Sequence, residues 1–295
     1  MMRTVLLLTA GTILQSHAAS LSAAPGGATC VTPPRITTVP AVPVTGTLFE
    51  LRIVDTTRTA GYIVRVAGEP IHFRMRSDTL VALAAMPVDS TAGVLLAVAC
   101  SHLHPDSIVH REVVAASSGN YRLEKLTVAP RFGTPPDSAL AARMRGEAAR
   151  AAAVSRAAHD TPQLWDAAFV VPRNSRITSG FGNGRTFNGE VTSRHTGSDF
   201  SGAVGAPVNA INRGVVRIVG AFYLGGNVVY IDHGAGLVSA YLHLSRQLVA
   251  EGDTVARGQV IGRVGATGRV TGPHLHLITR FGQVSVNAMS LIGRQ

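Results

Sequence analysis

Short apolar runs separated by turn residues fill the chain between Gly46 and Pro130, at 48–54, 62–66, 71–73, 80–84, 94–99, 108–114 and 121–128. Gly68, Asp78, Asp89 and the pair Gly119-Asn120 punctuate them. Short strands at this spacing predict a β-sandwich of immunoglobulin-like type over residues 46–132. The pattern then changes. In Thr134-Pro135-Pro136-Asp137, Thr134 suits an N-cap, Pro135 the first helical position, and Asp137 the far side of a capping box. The Ala- and Arg-rich stretch that follows predicts a connecting helix within 133–160, partly facing solvent. From 161 to 295, past Trp165, short strands and many glycines return. The chain is therefore expected to be mainly β, with two β domains joined by one helix.

The first residues are of a different kind. Arg3 precedes an apolar run at 5–14, and Ser16-His17-Ala18 or His17-Ala18-Ala19 offers a small-residue cleavage site. Residues 1–19 thus predict a secretory signal peptide, and with it export to the periplasm, the cell envelope or the exterior. That run falls far short of the roughly 20 apolar residues that span a bilayer, and no later stretch reaches that length. The chain is read as not membrane-spanning. Cys30 follows Thr29, a poor residue for a lipid-attachment box, so no lipoprotein is expected. Residues 20–45, rich in Pro and Thr without periodicity, read as a linker. In an exported chain the only cysteines, Cys30 and Cys100, are expected to form a disulfide, and neither is a candidate nucleophile.

The formal net charge is +10, carried by arginine except for Lys125. The arginines are scattered and not interleaved with aromatic residues on one stripe, which argues against a nucleic-acid partner. For an exported cationic chain, anionic polymers of the cell envelope fit better.

Candidate chemistry lies in the last third. In Gly272-Pro273-His274-Leu275-His276-Leu277, strand alternation puts His274 and His276 on one face and the leucines on the other. Upstream, in His195-Thr196-Gly197-Ser198-Asp199, an extended backbone would put His195 and Asp199 on one face, with Gly197 leaving room for an ion. Two imidazole nitrogens and one carboxylate oxygen, with a fourth position open to water, make the ligand set of a catalytic zinc site. In residues 238–244, alternation groups His243 with Ser239 and Tyr241 on the polar face, where it could serve as acid or base. His233 shares its parity with Val229 and Ile231 and reads as a core histidine. Cys100-Ser101-His102-Leu103-His104, with His110 nearby, lacks a carboxylate partner and reads as a surface loop; His72 and His159 stand alone.

The motifs His195-x-Gly-x-Asp199, Tyr241-Leu242-His243-Leu244 and Gly272-Pro273-His274-Leu275-His276 resemble those of the lysostaphin-type (LytM-like, M23) zinc endopeptidases. Their flanks agree: Ser179-Gly180-Phe181-Gly182, the run 226–234, and Gly252-Asp253-x-Val255-x-x-Gly258-Gln259. The resemblance covers about residues 165–290 and implies an antiparallel β domain of that type. It implies that His195, Asp199 and His276 bind zinc, while His243 and His274 act on the water and the developing oxyanion. It implies peptidoglycan peptides as substrate, without naming the bond, and leaves the oligomeric state open. No HExxH glutamate is needed, and none is present. One departure follows the last motif, where an aromatic residue is common and Leu277-Ile278 stands here. The alternative is a non-catalytic relative that binds or activates another wall hydrolase. Such relatives usually lack one or more of these five residues, and here all five are present. Residues 249–259 also resemble a biotin or lipoyl carrier hairpin, but a carrier needs a lysine at its tip and Lys125 lies far outside.

Overall fold

A computed structural model describes residues 35–54, 62–100, 108–189 and 191–293. The expected signal peptide, most of the 20–45 segment, and with Cys30 the expected disulfide lie outside these residues, as do His102 and His104. Among the described residues no helix is long and apolar enough to cross a membrane.

The N-terminal strands are Ile36–Val39 (β1), Leu48–Ile53 (β2), Tyr62–Val66 (β3), Glu69–Pro70 (β4), Arg74–Arg76 (β5), Thr79–Ala85 (β6), Val94–Cys100 (β7) and Ile108–Val114 (β8). They form two antiparallel sheets, β1-β2-β6-β5 and β4-β3-β7-β8. Alternation sends Phe49 and Leu51 of one sheet against Val64, Val66, Leu96 and Val98 of the other, so the two inner faces share one core. Three expectations change. The end of the expected linker is strand β1, where Ile36, Thr37, Thr38 and Val39 pair residue by residue with β2; a run of β-branched residues suits a strand. Residues 71–73, expected to be a strand, instead link β4 to β5, with Ile71 and Phe73 packed on the core.

The third change matters most for the site. The expected strand at 121–128 leaves the sandwich. Leu123–Leu126 (β9) pairs in parallel with Gly184–Phe187 (β11), which pairs in turn with Val191–Arg194 (β12). Val128 and Phe132 are buried against Phe187, so the apolar side of this segment belongs to the C-terminal part of the molecule.

A short helix, Pro130–Gly133 (α1), precedes the long one, Ser138–Ala157 (α2). The N-cap of α2 is Asp137, whose carboxylate accepts from Leu140 N at 2.8 Å, and not Thr134, which closes α1. Consecutive prolines explain the shift. A residue before proline is pushed out of helical geometry, so the turn cannot begin until Pro136 is passed. Helix α2 buries its small residues, Ala151 and Ser155. These let it lie close over the large sheet, where Ala151 and Ala158 pack with Ile218, Val228, Tyr230, Val238, Ala240 and Leu242.

The remaining strands are Ile177–Ser179 (β10), Gly197–Ser201 (β13), Pro207–Asn209 (β14), Gly214–Phe222 (β15), Gly226–Gly234 (β16), Leu237–Gln247 (β17), Thr254–Val255 (β18), Val260–Val264 (β19), His274–Phe281 (β20) and Val284–Val286 (β21). The main sheet runs β10-β13-β20-β17-β16-β15-β18, with antiparallel pairs throughout. One face carries the principal core, including Phe200, Val229, Ile231, Tyr241, Leu275 and Leu277. The opposite face is covered by α2 over part of its area, and the rest is open.

Sandwich and main sheet share buried surface. Leu48 and Ala85 belong to the same cluster as Trp165 and Phe169. His72 and His159, read as standing alone, are paired at this junction. His72 Nε2 lies 2.8 Å from His159 Nδ1, and His159 Nε2 lies 3.0 Å from Glu69 Oε2. Glu69 Oε1 accepts from Gln283 N at 2.9 Å, in the turn between β20 and β21. A Cβ at Gly282 would lie 1.9 Å from Glu69 Oε2, so that turn admits the carboxylate only because residue 282 is glycine.

Candidate metal centre

Strand β20 behaves as the alternation predicts. Leu275 and Leu277 enter the main core, while His274 and His276 face the open side of the sheet. Alongside it in β13, Asp199 stands opposite His276, and Phe200 goes to the core. A Cβ on Gly197 would lie 2.4 Å from the Leu277 carbonyl oxygen and 2.5 Å from His276 Nε2. The space that the sequence suggests for an ion is thus occupied by the His276 ring. His195 lies just before β13 begins and is buried.

Three ligand-type atoms converge there. His195 Nε2 is 3.1 Å from Asp199 Oδ1 and 3.1 Å from His276 Nδ1, and His276 Nδ1 is 2.8 Å from Asp199 Oδ1. Their outer atoms are committed elsewhere. His195 Nδ1 donates to Gly180 O at 2.7 Å, so Nε2 carries the lone pair. Asp199 Oδ2 accepts from Arg185 Nη2 at 2.7 Å, leaving Oδ1 for the centre. A bare imidazole nitrogen facing a carboxylate oxygen, both acceptors, is a donor set that a cation satisfies. Tetrahedral ligation at zinc distances puts ligand atoms about 3.3 Å apart, so the triangle needs only slight opening to hold such an ion. His195, Asp199 and His276 are accordingly a group that could hold a metal; His243, His274 and His276 form a second, overlapping group.

The orientation of Asp199 and His195 depends on residues to which the sequence alone assigned no role. Glu124 Oε2 accepts from Arg185 Nε at 2.9 Å, and Glu124 Oε1 accepts from Ser179 Oγ at 2.7 Å and from Asn183 Nδ2 at 2.8 Å. Arg185 Nη2 also donates to Ser179 Oγ at 2.7 Å, and that hydroxyl lies 3.2 Å from His195 Nδ1. One carboxylate, delivered by the parallel strand β9, therefore stands behind the outer partners of both Asp199 and His195. The available signal was an acidic residue on the inward side of an alternating run, Leu123-Glu124-Lys125-Leu126.

His243 reaches the site by another route. Tyr241 and Leu244 belong to the main core, whereas Leu242 and Ala240 lie on the opposite face. Simple alternation would leave His243 on the core side with Ser239 and Tyr241. It has φ +63 instead, and the register between β16 and β17 shifts nearby. This added residue turns the imidazole to the open side, as a bulge re-aims a side chain. His243 lines the cleft, but the expected shared face with Ser239 and Tyr241 does not hold. His243 N donates to Gly225 O and Nδ1 to Thr267 O, each at 2.8 Å, which leaves Nε2 as the free lone pair. His274 Nδ1 likewise donates to Gly272 O at 2.8 Å, while Nε2 lies 3.6 Å from Asp199 Oδ1. The His243 ring centroid is 4.9 Å from that of His274 and 5.7 Å from that of His276.

Burial sets the protonation states. It pushes His243 down to about 3, aided by the neighbouring His276 and His274, and His276 down to about 4. Burial alone would raise Asp199, but the contacts of its Oδ1 with the His195 and His276 rings hold it well below the carboxylate range. His233 is a satisfied core histidine, bonded to Arg213 O at 2.7 Å and Ser239 Oγ at 2.8 Å, and burial lowers it to about 4. His110, part of the discounted cluster, lies 3.6 Å from Glu112 in β8. A cleft of about 960 Å³ opens over the site, walled by Met144 and Ala148 of α2, by Glu124 and by the loop before His274.

An antiparallel sheet thus brings two buried histidines and an aspartate, a set that could hold a metal ion, beside two further histidines. The family model of Peptidase family M23 matches residues 193–288, the segment that holds these motifs. The peptidoglycan DD-endopeptidase ShyC of Vibrio cholerae serotype O1 is 44% identical over 103 residues, 34% of this chain and 24% of its own. ShyA of the same organism, also a peptidoglycan DD-endopeptidase, is 45% identical over 124 residues, 41% of this chain and 28% of its own. The chain thus spans about a quarter of the length of the curated relatives it matches. A crystal structure from Pseudomonas aeruginosa assigned to peptidase M23 superimposes with a TM-score of 0.63 at 26% identity, covering 86% of this chain and 96% of that one.

Proposed function

We propose that the chain is a zinc-dependent endopeptidase that hydrolyses peptide bonds in peptidoglycan stems or cross-links. The observation that carries the proposal is the convergence of His195 Nε2, Asp199 Oδ1 and His276 Nδ1 within 3.1 Å of one another, beside two histidines whose Nε2 atoms are free. In this reading His195, Asp199 and His276 hold the ion. Bound zinc lowers the pKa of a water toward about 7 and polarises a carbonyl. His243 is neutral at physiological pH and, with its Nδ1–H committed to Thr267, accepts the proton of the attacking water at Nε2. His274 stands on the same face as His276 with its ring fixed by Gly272 O, and as an imidazolium it donates Nε2–H to the developing oxyanion. Arg185 and Glu124 hold Asp199 and His195 in place while this happens.

Digestion of purified sacculi, with released fragments identified by mass spectrometry, tests the proposal. Wild type is expected to release peptide-cleaved fragments, and His243→Ala and His274→Ala at matched zinc content to release far fewer. No release by wild type at any metal content would favour the binding relative instead. The same reading includes export, with residues 1–19 as leader, and a Cys30–Cys100 disulfide; free thiols at both positions in the mature non-reduced protein would refute the pairing. An immunoglobulin-like N-terminal sandwich is supported by strand order: β1-β2-β6-β5 and β4-β3-β7-β8 follow A-B-E-D and C′-C-F-G.

A further inference from the structure

Three arginines line the cleft, and they differ in what they bind. Arg185 spends its guanidinium on Glu124, Ser179 and Asp199. Arg194 donates to Gly182 O and pairs with Asp89. The guanidinium of Arg269 has no hydrogen-bond acceptor and no acidic partner among the described residues. The acidic groups lining the cleft are all engaged elsewhere: Glu124 and Asp199 by Arg185, and Glu147 by Arg143 and by Tyr223 N.

Arg269 is nonetheless firmly placed. Its Cζ lies 3.8 Å from the centroid of the Phe187 ring, and Phe187 is buried against Val128 and Phe132. Its backbone N–H donates to Leu224 O at 2.9 Å. The residue before it, Gly268, has φ +75, and a Cβ there would lie 2.3 Å from Gly226 N. One face of the guanidinium is covered by an aromatic ring while its edge is left for a ligand in the cleft. Burial and the nearby Arg185 charge lower its pKa to about 10, so at neutral pH it stays charged. A half-buried cation without a counter-ion costs stability, and a binding site is where such a cost is recovered.

We propose that Arg269 is the subsite for a free carboxylate of the peptide substrate, bound through the open edge of a guanidinium stacked on Phe187. The proposal rests on the endopeptidase reading and deepens it: the site selects peptides that present an anionic group at a fixed distance from the scissile bond. The planar fork matches a carboxylate with two parallel hydrogen bonds. A cross-linked stem peptide offers two sources, its C-terminal carboxylate and a side-chain carboxylate.

The test uses the full zinc-loaded chain and a cross-linked stem-peptide dimer in three forms: unmodified, amidated at the C-terminus, and amidated at the side chain. Amidating the carboxylate that Arg269 holds is expected to lower kcat/KM of wild type by about 10- to 100-fold, the size of one charge-assisted pair. Arg269→Gln should start lower by a similar factor and lose nothing further on either amidation. Arg269→Lys, which keeps the charge but not the fork, should fall between them. Whichever amidation wild type resists identifies the source not used. Indifference of wild type to both amidations overturns the proposal, and so does an equal loss in Arg269→Gln. Affinities of the same peptides for the zinc-loaded His274→Ala chain, measured by calorimetry, separate this subsite from the reaction. If wild type cleaves none of the three, the endopeptidase reading fails, and the affinities alone decide on Arg269.

Discussion

Strands β20 and β17 lie side by side in the main sheet, with His276 opposite Leu242, and they bring histidines to the same cleft by different means. In β20 the backbone is regular, so every second side chain faces the site and the leucines between them fill the core. In β17 the regular pattern would bury His243 beside Tyr241, and a residue at φ +63 breaks it. A regular strand writes its geometry into the spacing of its residues. A bulge leaves the composition of the strand unchanged and reverses the direction of everything after it. Leu244 is the proof, since it joins Tyr241 in the main core where alternation would set them on opposite faces.

The largest difference between the two strands should appear in metal content. His276 of β20 lies in the buried triangle, whereas His243 of β17 touches it only through ring neighbours. His276→Ala is expected to strip most of the zinc and with it all measurable turnover. His243→Ala should keep near-stoichiometric metal while the rate falls about 10²–10⁴-fold from lost proton transfer. Elemental analysis of both purified variants checks this. Unchanged zinc in His276→Ala would overturn the ligand assignment.

A third histidine, His233 in β16, is buried in the core without a role at the site. Its native value of about 4 lies below the roughly 6.5 expected when unfolded. Between those values the unfolded chain binds the proton and the native chain does not. Stability from this group is therefore complete above about pH 6.5 and lost as pH falls toward 4, by about 3 kcal/mol. Urea unfolding across that range should show wild type losing about this much more than His233→Gln. Parallel curves would mean that the buried imidazole is not the source. Ligand histidines titrate in both proteins, so their contribution cancels from the difference.

Much of the site was legible because its residues sit in short motifs on locally regular backbone: His274 and His276 by alternation, His195 and Asp199 by spacing around Gly197. What the sequence hid is non-local. The run at 121–128 has the periodicity of a sandwich strand, and nothing within it reveals a parallel partner some sixty residues later, with Glu124 beside Arg185. His72 and His159 escaped for the same reason, their contact spanning 87 positions. Glu124→Gln gives this hidden link a measurable size. Outer partners of metal ligands typically contribute 10–100-fold to affinity or activity. Zinc affinity by chelator competition should weaken by that range, with the far-ultraviolet spectrum unchanged. A variant that binds zinc as tightly as wild type would reduce Glu124 to a packing residue.

The smallest effect tests the comparison itself, with the imidazoles removed. At residue 243 the backbone is left-handed, where any Cβ is strained by about 1 kcal/mol and glycine is not. At residue 274 the backbone is extended within a strand, where glycine costs about 0.5–1 kcal/mol relative to alanine. Alanine and glycine should therefore rank in opposite order at the two positions. His243→Gly is expected to unfold at higher denaturant than His243→Ala, and His274→Gly at lower denaturant than His274→Ala. All four variants lack an imidazole, so lost hydrogen bonds and lost chemistry cancel within each pair, and only the backbone remains. If alanine were the more stable at both positions, β17 would be a regular strand at His243. Its imidazole would then have to reach the cleft by some means other than a bulge.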